Sequence, residues 1–189
     1  MKTISKYGIY LRLVEEIDAE FIISLRTNPK LNAHISQTSS NISDQVKWIK
    51  DYKVKELQGL EYYYIAHDQY GNKYGTIRLY NFDERSFELG SWVFMPNSPL
   101  GIAAKTHLIG LETGFEQLNA DYCRIIVRKN NIAVVRYIMG FKAIIVYEDD
   151  IDYYFRLSKE SLYKHKPTMP FFISGNNKKE LSNPEKNKL

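Results

Sequence analysis

The run from Phe87 to Leu118 constrains the fold more than any other part of the chain. It begins with FELGSWVF, a segment rich in aromatic residues that predicts a strand. A loop of small residues follows, and after Gly101 the apolar residues recur at intervals of three and four, as in a long amphipathic helix that packs on a sheet. The apolar stripe consists of Ala104, Leu108, Leu111, Phe115 and Leu118. A loop that opens a helix can hold an anion on free N–H groups, although an ordinary strand-to-helix turn has the same pattern.

The rest of the chain alternates between strands and helices in an order that narrows the fold class. The predicted elements are a strand at Tyr7–Val14, helices at Asp18–Arg26 and Ser43–Leu57, strands at Tyr62–His67, Tyr74–Tyr80 and Phe87–Phe94, the helix after Gly101, a strand at Asp121–Arg128, a short helix at Ile132–Ile138, and strands at Phe141–Tyr147 and Asp152–Leu157. Three consecutive strands predict an antiparallel meander, and strand, helix, strand predicts a parallel pair. The order βααβββαβαββ indicates an α/β fold with a mixed sheet.

Three local features complete this prediction. Ile17, Phe21 and Leu25 lie at helical spacing and predict the buried face of the first helix. Ser43 is the predicted N-cap of the second helix. The apolar centre of the strand Asp121–Arg128 predicts burial on both faces.

Length and composition limit the class of protein. The 189 residues predict one domain, at 1–166, with 167–189 as a flexible C-terminal extension. The 44% hydrophobic and 25% charged residues are typical of a soluble globular protein. The net charge of +4 fits a phosphorylated ligand, but a mildly basic protein without such a ligand would have the same charge. No dense basic block points to nucleic acid, and no apolar run suits a signal peptide or a membrane span, so we expect a cytoplasmic protein.

The element order resembles the GNAT superfamily of acyl-CoA-dependent N-acetyltransferases, over about Tyr7 to Lys164. The opening IYLRLVEEIDAEFIISLRTNPKLNAHIS, with Gln45 and Trp48 in the second helix, resembles RimJ/RimL-type members. The runs SFELGSWVF and VRKNN are most similar to members encoded with bacterial surface-polysaccharide pathways, which acetylate amino groups on nucleotide-linked sugars. The resemblance implies a mostly antiparallel twisted sheet with a central splayed parallel strand pair and flanking helices.

The same resemblance implies where acetyl-CoA binds. The family's cofactor loop reads Gln/Arg-x-x-Gly-x-Gly/Ala, and the best match here begins at Ser98, which replaces the Gln or Arg. The predicted pyrophosphate contacts are Leu100, Gly101, Ile102, Ala103, Ala104 and Lys105. The predicted backbone partners of the pantetheine arm are Val93, Phe94 and Met95. Asn130 or Asn131 supplies a further contact after the next strand. A cap turn without a ligand is the alternative.

Acetyl transfer to an amine needs a base and a proton donor for the leaving sulfur. Strand alternation places Glu88 on one face with Trp92, which makes Glu88 the best-placed base, although a surface glutamate would look the same. Counting from Asn130 puts Tyr137 where many family members have a tyrosine general acid. Counting from Asn131 does not put Tyr137 at that position, and in that case Tyr137 is a packed aromatic residue.

The sequence signal for the acceptor-binding residues is less specific than that for the cofactor loop. The resemblance places His34 in the acceptor loop, and Tyr80 and Trp92 offer aromatic faces for a sugar or nucleotide, although each also suits a loop or core position. No histidine pair has metal-ligand spacing, so no metal is predicted.

The predicted reaction is direct transfer from acetyl-CoA, in a ternary complex, to a primary amine, first of all that of a nucleotide-linked amino sugar. The alternatives are a protein N-terminus, a small amine, or a GNAT-fold binding module without activity. Neither nucleic acid nor membrane is an expected partner, and a homodimer is left open.

Overall fold

A computed structural model describes residues 3–166, which form eight strands and five helices. The strands are β1 (Ile4–Lys6), β2 (Ile9–Leu13), β3 (Tyr62–His67), β4 (Lys73–Tyr80), β5 (Ser86–Phe94), β6 (Tyr122–Arg128), β7 (Ile144–Glu148) and β8 (Asp152–Ser158). The helices are α1 (Ala19–Arg26), α2 (Ile42–Leu57), α3 (Ile102–Gln117), α4 (Ile132–Gly140) and α5 (Lys159–His165). The predicted C-terminal extension, 167–189, lies outside the described residues.

The strands form one mixed sheet in the order β1-β2-β3-β4-β5-β6-β8-β7. Neighbouring strands are antiparallel except for β5 and β6, which are parallel, as the strand–helix–strand pattern predicted. The parallel pairing joins only residues 86–88 to residues 122–124. Beyond these residues the two strands separate, and the second half of β5 borders a gap. The α/β class and the mixed sheet with its parallel pair are therefore confirmed.

A bulge in β5 changes which side chains share a face. Ser91 and Trp92 together stand opposite one residue of β4, Ile77, and Ser91 has a φ of +48°. An extra residue of this kind reverses the alternation of side chains after it. Glu88 therefore does not share a face with Trp92. Glu88 lies on the side of Tyr80, whereas Trp92 packs against α3, so the prediction from regular alternation was wrong.

The helices cover the two faces of the sheet differently. On one face lies α3, and its apolar stripe is confirmed, since Leu108, Leu111 and Phe115 are fully buried. Burial of a phenylalanine side chain such as Phe115 contributes about 2–3 kcal/mol. Gly114 permits the close approach of α3, because a Cβ there would overlap the ring of Phe87 on β5. On the other face, α1 and α2 form a smaller apolar cluster with β3.

Three local predictions were wrong. Ile17 is 83% exposed, because the chain makes a 3-10 turn at Glu16–Asp18 before α1 begins. Asn41, rather than Ser43, caps α2, and its side-chain oxygen accepts the Ser43 N–H at 2.8 Å. Only one face of β6 is buried, and Ile126 on the other face is 45% exposed because it borders the cavity beside β5.

Both ends of the chain contain elements that the pattern did not resolve. The first predicted strand is a hairpin of β1 and β2, with a turn in which Tyr7 and Gly8 have positive φ. Phe141 was predicted to begin a strand but is fully buried after α4, and β7 begins at Ile144. The helix α5 was not predicted, and Ser158 caps it.

Candidate active site

The separation of β5 and β6 opens into a cavity of about 780 Å³. Its wall is formed by α1 and the loop after it, by α2, by β3 to β6, by His107 of α3 and by α4. Of the residues predicted for the site, the wall includes His34, Tyr80, Glu88, Trp92, Val93, Phe94 and Asn131. The wall does not include Met95, residues 100–105, Asn130 or Tyr137. The predicted base Glu88, the predicted acceptor residues and the Val93–Phe94 part of the strand segment thus line the same cavity.

The start of α3 suits an anionic group. Gly101 precedes the helix with a φ of +82°, a left-handed conformation that glycine adopts without strain. The N–H of Ile102 donates to the Pro99 carbonyl at 3.1 Å, whereas the N–H groups of Ala103 and Ala104 have no acceptor among residues 3–166. Free N–H groups at the positive end of a helix dipole bind phosphates. The residues present therefore fit the predicted pyrophosphate.

The loop before α3 is fixed by contacts on both sides. Ser98, which replaces the expected Gln or Arg, donates its hydroxyl to the Tyr74 carbonyl at 3.3 Å. The Trp92 indole N–H donates to the Ala103 carbonyl at 2.9 Å. The Leu100 side chain is fully exposed, and Lys105 forms no ion pair within the described part of the chain. Ser98 therefore keeps the loop in place, although it brings no charge.

Only part of the predicted strand segment has backbone groups turned to the gap. The Met95 N–H donates to the Tyr74 carbonyl of β4 at 2.8 Å and is not available to a ligand. The N–H and C=O of one residue in a strand point to the same side, and neighbouring residues alternate. Phe94 therefore presents its backbone groups to the gap, whereas those of Val93 and Met95 face β4.

The two asparagines after β6 have different structural roles. Asn131 caps α4, and its side-chain oxygen accepts the Val134 N–H at 3.4 Å. The Asn130 side-chain oxygen lies 3.0 Å from Nδ1 of His34, in the loop before α2. This hydrogen bond joins the two sides of the cavity. Contact of either asparagine with the cofactor stays a prediction.

Glu88 is held by two neighbours on its own face of the sheet. The Tyr80 hydroxyl donates to one carboxylate oxygen, and the Asn81 amide donates to the other at 3.0 Å. Burial and the Glu88 hydrogen bond raise the pKa of Tyr80 above its usual value, so this hydroxyl stays protonated. Glu88 therefore presents a fixed carboxylate to the cavity.

Tyr137 packs inside an aromatic cluster behind the cavity wall. Its ring lies 5.5 Å from that of Trp92 and 5.3 Å from that of Phe141, measured between centroids. Its hydroxyl donates to the Ala104 carbonyl at 3.3 Å, in the first turn of α3. Burial raises its pKa, so the phenol keeps its proton. Tyr137 is thus both a packed aromatic residue and a hydroxyl donor to the first turn of α3, and its role as proton donor to the sulfur stays a prediction.

His107 is a cavity residue that the sequence pattern did not identify. It is 2% exposed, lies 4.6 Å from the Trp92 ring and has Nδ1 3.3 Å from the Tyr137 hydroxyl. Burial lowers the pKa of His107 to about 3, so the imidazole is neutral near pH 7. It lies off the apolar stripe of α3, and the stripe alone does not show that Trp92 and Tyr137 of α4 cover this side of the helix.

On the acceptor side, the pattern also missed a stacked arginine. Arg78 on β4 lies between the rings of Trp48 and Tyr80, with its guanidinium carbon 5.2 Å and 4.6 Å from the two centroids. It is paired with the buried carboxylate of Glu61. A charged residue in the centre of the apolar strand segment GTIRLY was the signal that could have identified it.

Two comparisons with known proteins place this chain. The GNAT acetyltransferase domain matches residues 9–141. Among solved structures, "Apo FdhC- a nucleotide-linked sugar GNAT" is 36% identical, with a TM-score of 0.78 over 92% of this chain and 97% of that one. A comparison with curated proteins found no match.

Two more distant structures share the fold. Mycobacterium smegmatis RimJ in complex with CoA-disulfide is 15% identical, with a TM-score of 0.71 over 89% of each chain. Vibrio cholerae spermidine N-acetyltransferase in complex with CoA and spermine is 16% identical, with a TM-score of 0.69 over 84% of this chain and 99% of that one. These two proteins therefore share the fold of this chain. The chain belongs to the GNAT family, and it is an N-acetyltransferase that uses acetyl-CoA and an amine acceptor.

Two further observations concern residues 3–166 alone. No helix in this range is both long and apolar enough to cross a membrane. Within the same range, no group of three His, Cys, Asp or Glu side chains is arranged to hold a metal ion.

Proposed function

We propose that the protein transfers the acetyl group of acetyl-CoA to the amino group of a nucleotide-linked amino sugar. The observation that carries this proposal is the 36% identity with the nucleotide-linked sugar GNAT, which extends over nearly the full length of both chains. The cavity of about 780 Å³ is in the range of small-molecule sites and has room on the acceptor side of β5.

The charges of the cavity wall argue against a polyamine acceptor. Arg78 and Arg128 are paired with Glu61 and Asp152, so the remaining charges of the wall are the cations Arg26 and Lys30 and the carboxylates of Asp44 and Glu88. A polyamine site needs an excess of carboxylates, which this wall lacks, whereas Arg26 and Lys30 would attract an acceptor with a diphosphate. The structural likeness to spermidine N-acetyltransferase is a likeness of fold at 16% identity.

We assign the proton transfers to two groups of this chain and the polarisation of the thioester to a third. Glu88 accepts a proton from the acceptor ammonium group, and the free amine then attacks the thioester carbonyl that acetyl-CoA supplies. The Phe94 N–H, which faces the gap, polarises that carbonyl. As the new C–N bond forms and the C–S bond breaks, the Tyr137 hydroxyl donates a proton to the sulfur and regains one from water. The second amine proton and the proton held by Glu88 leave to water, which returns both groups to their starting state. The strands hold both reactants in line, so no covalent enzyme intermediate is needed.

A panel of acceptors tests the proposal. The purified chain is incubated with acetyl-CoA and with amino sugars linked to UDP or dTDP, a set of N-terminal peptides, or spermidine, and release of the free thiol is measured. We expect turnover with at least one nucleotide-linked amino sugar and at least tenfold lower kcat/KM with the peptides and spermidine. Turnover with a peptide alone would instead support a protein N-terminal acetyltransferase.

A binding module without activity is the remaining alternative from the sequence. It predicts no thiol release with any acceptor, and no saturable binding of acetyl-CoA in calorimetry if the cofactor site has been lost. The cytoplasmic location, the homodimer and the lack of a nucleic-acid or membrane partner stay predictions.

A further inference from the structure

We propose that Arg26, assisted by Lys30, binds the diphosphate of the nucleotide-linked acceptor. This inference rests on the proposed function and assigns the part of the site that would recognise the nucleotide end of the acceptor. It concerns the α1–α2 side of the sheet, whereas the predicted pyrophosphate site of acetyl-CoA lies at the start of α3 on the other side.

Arg26 is placed and oriented by the loop that follows it. It is the last residue of α1, and it lines the cavity. Its Nε donates to the Thr38 hydroxyl at 2.5 Å, and its Nη2 donates to the Ser36 hydroxyl at 2.7 Å. These bonds fix the plane of the guanidinium, while Nη1 has no acceptor within residues 3–166. A fixed guanidinium with free N–H groups is suited to a phosphate.

Arg26 differs from the other arginines of the cavity wall because they are paired with carboxylates. Arg78 is paired with Glu61, and Nη1 of Arg128 lies 3.3 Å from the Asp152 carboxylate. In the described part of the chain, no carboxylate lies within ion-pair distance of Arg26. Lys30, four residues further along the same wall, likewise has no carboxylate partner there. The wall therefore has two positive charges, those of Arg26 and Lys30, without a carboxylate partner among residues 3–166.

The carboxylates of the wall do not neutralise this pair of charges. Asp44 lies in the first turn of α2, where the helix dipole stabilises a negative charge, and it accepts the Ser39 hydroxyl at 2.7 Å. Glu88 is held by Tyr80 and Asn81 on the sheet. A diphosphate carries at least two negative charges and has several oxygens that accept hydrogen bonds. Such a group would therefore pair with both Arg26 and Lys30. The hydroxyls of Ser36 and Thr38 add donors for the same oxygens.

Calorimetry with nucleoside diphosphates tests the proposal. UDP and dTDP are titrated into the full chain in saturating CoA, which occupies the co-substrate site, and uridine and thymidine are titrated as probes without phosphate. We expect at least one diphosphate to bind wild type and to bind Arg26→Gln at least tenfold more weakly, with uridine, thymidine and CoA binding unchanged within twofold. Arg26→Lys, which keeps the charge and loses the planar fork, should lie between them.

A matched control removes the same charge elsewhere. Lys47 is exposed on α2 outside the cavity wall, so Lys47→Gln should bind the diphosphates as wild type does. The proposal is wrong if neither diphosphate binds wild type, or if both bind Arg26→Gln as tightly as wild type. It is also wrong if Arg26→Gln loses binding of the diphosphates, the nucleosides and CoA together, because Arg26 would then only anchor the loop.

The outcome separates this inference from the proposed function. If nucleotide-linked amino sugars are acetylated with the same KM by wild type and Arg26→Gln, the function holds and the phosphate site is wrong. If binding of the diphosphates requires Arg26 but no nucleotide-linked amino sugar is acetylated, the phosphate site is supported and the proposed acceptor is wrong.

Discussion

Glu88 and Tyr80 form a hydrogen-bonded pair in which the tyrosine hydroxyl is the donor and the carboxylate is the acceptor. The tyrosine keeps its proton and donates it into a hydrogen bond, so the carboxylate remains the acceptor. Asn81 holds the second oxygen. A carboxylate fixed in this way can accept a proton from a substrate amine without first reorienting.

Replacement of Glu88 by Gln keeps the shape of the side chain and removes the base. We expect kcat to fall by about 10²–10⁴-fold, the usual contribution of a general base. The KM for acetyl-CoA should stay within twofold. Glu84→Gln, at an exposed turn residue, is the matched control. An unchanged kcat would mean that Glu88 only anchors Tyr80.

Tyr137→Phe separates the two roles of this residue. The ring contacts with Trp92 and Phe141 remain, and the hydroxyl next to the first turn of α3 is lost. We expect kcat to fall by about 10²-fold or more if the hydroxyl protonates the leaving sulfur. Tyr70→Phe, at an exposed tyrosine, should not change kcat. Full activity with a lowered Tm would assign Tyr137 to packing alone.

His107 links burial to the pH dependence of stability. Its pKa is about 3 in the folded protein and near 6.5 when unfolded, so between these pH values the unfolded chain binds one more proton. The free energy of unfolding should therefore fall by about 1.4 kcal/mol per pH unit from this residue as pH drops below 6.5. In urea denaturation, the free energy of unfolding of His107→Gln should depend less steeply on pH than that of wild type. The difference in slope should be about 1.4 kcal/mol per pH unit, the contribution of one proton. Equal slopes for both proteins would contradict the buried neutral histidine.

At the scale of elements, α3 and β5 determine the geometry of the site together. The bulge at Ser91 turns Trp92 towards α3 and leaves Glu88 on the opposite face. The bulge thus lets a single strand present Trp92 to α3 on one face and Glu88 to Tyr80 on the other. A regular strand would place both residues on one face.

The contact between α3 and β5 can be tested at its two glycines. Gly114→Ala places a methyl group against the Phe87 ring, and we expect a loss of about 1–3 kcal/mol in the free energy of unfolding, as for other overpacked sites. At Gly110 the nearest atom to a Cβ is the mobile end of Ile77, at 2.8 Å, so Gly110→Ala should cost less. Urea denaturation measures both, and the reverse order would contradict this packing.

At the scale of the whole molecule, regular periodicity was the most reliable guide. The long helix α3, the meander β3–β4–β5 and the parallel pair were all predictable, because their apolar spacing is regular over many residues. The features that sequence did not predict depend on tertiary contacts. The bulge at Ser91, the exposure of Ile17 and the burial of His107 each result from how one element meets another.

The candidate site was predictable in part for the same reason. The loop at Gly101 follows from local spacing and family pattern. Glu88 borders the cavity, but the shared face with Trp92 on which its choice rested was wrong. Arg26, Arg78 and His107 come from three different elements and meet only when the sheet has formed. No spacing within one segment could reveal that they share a cavity.

We propose that acetyl-CoA enters the gap between β5 and β6 from the α3 side and meets the acceptor near Glu88. A crystal structure of the protein with CoA tests it most directly. We expect the pyrophosphate within hydrogen-bond distance of the Ala103 and Ala104 N–H groups, the pantetheine arm beside Phe94, and the sulfur in the cavity next to Glu88. A CoA molecule bound elsewhere, or one whose sulfur lies outside the gap between β5 and β6, would contradict the account.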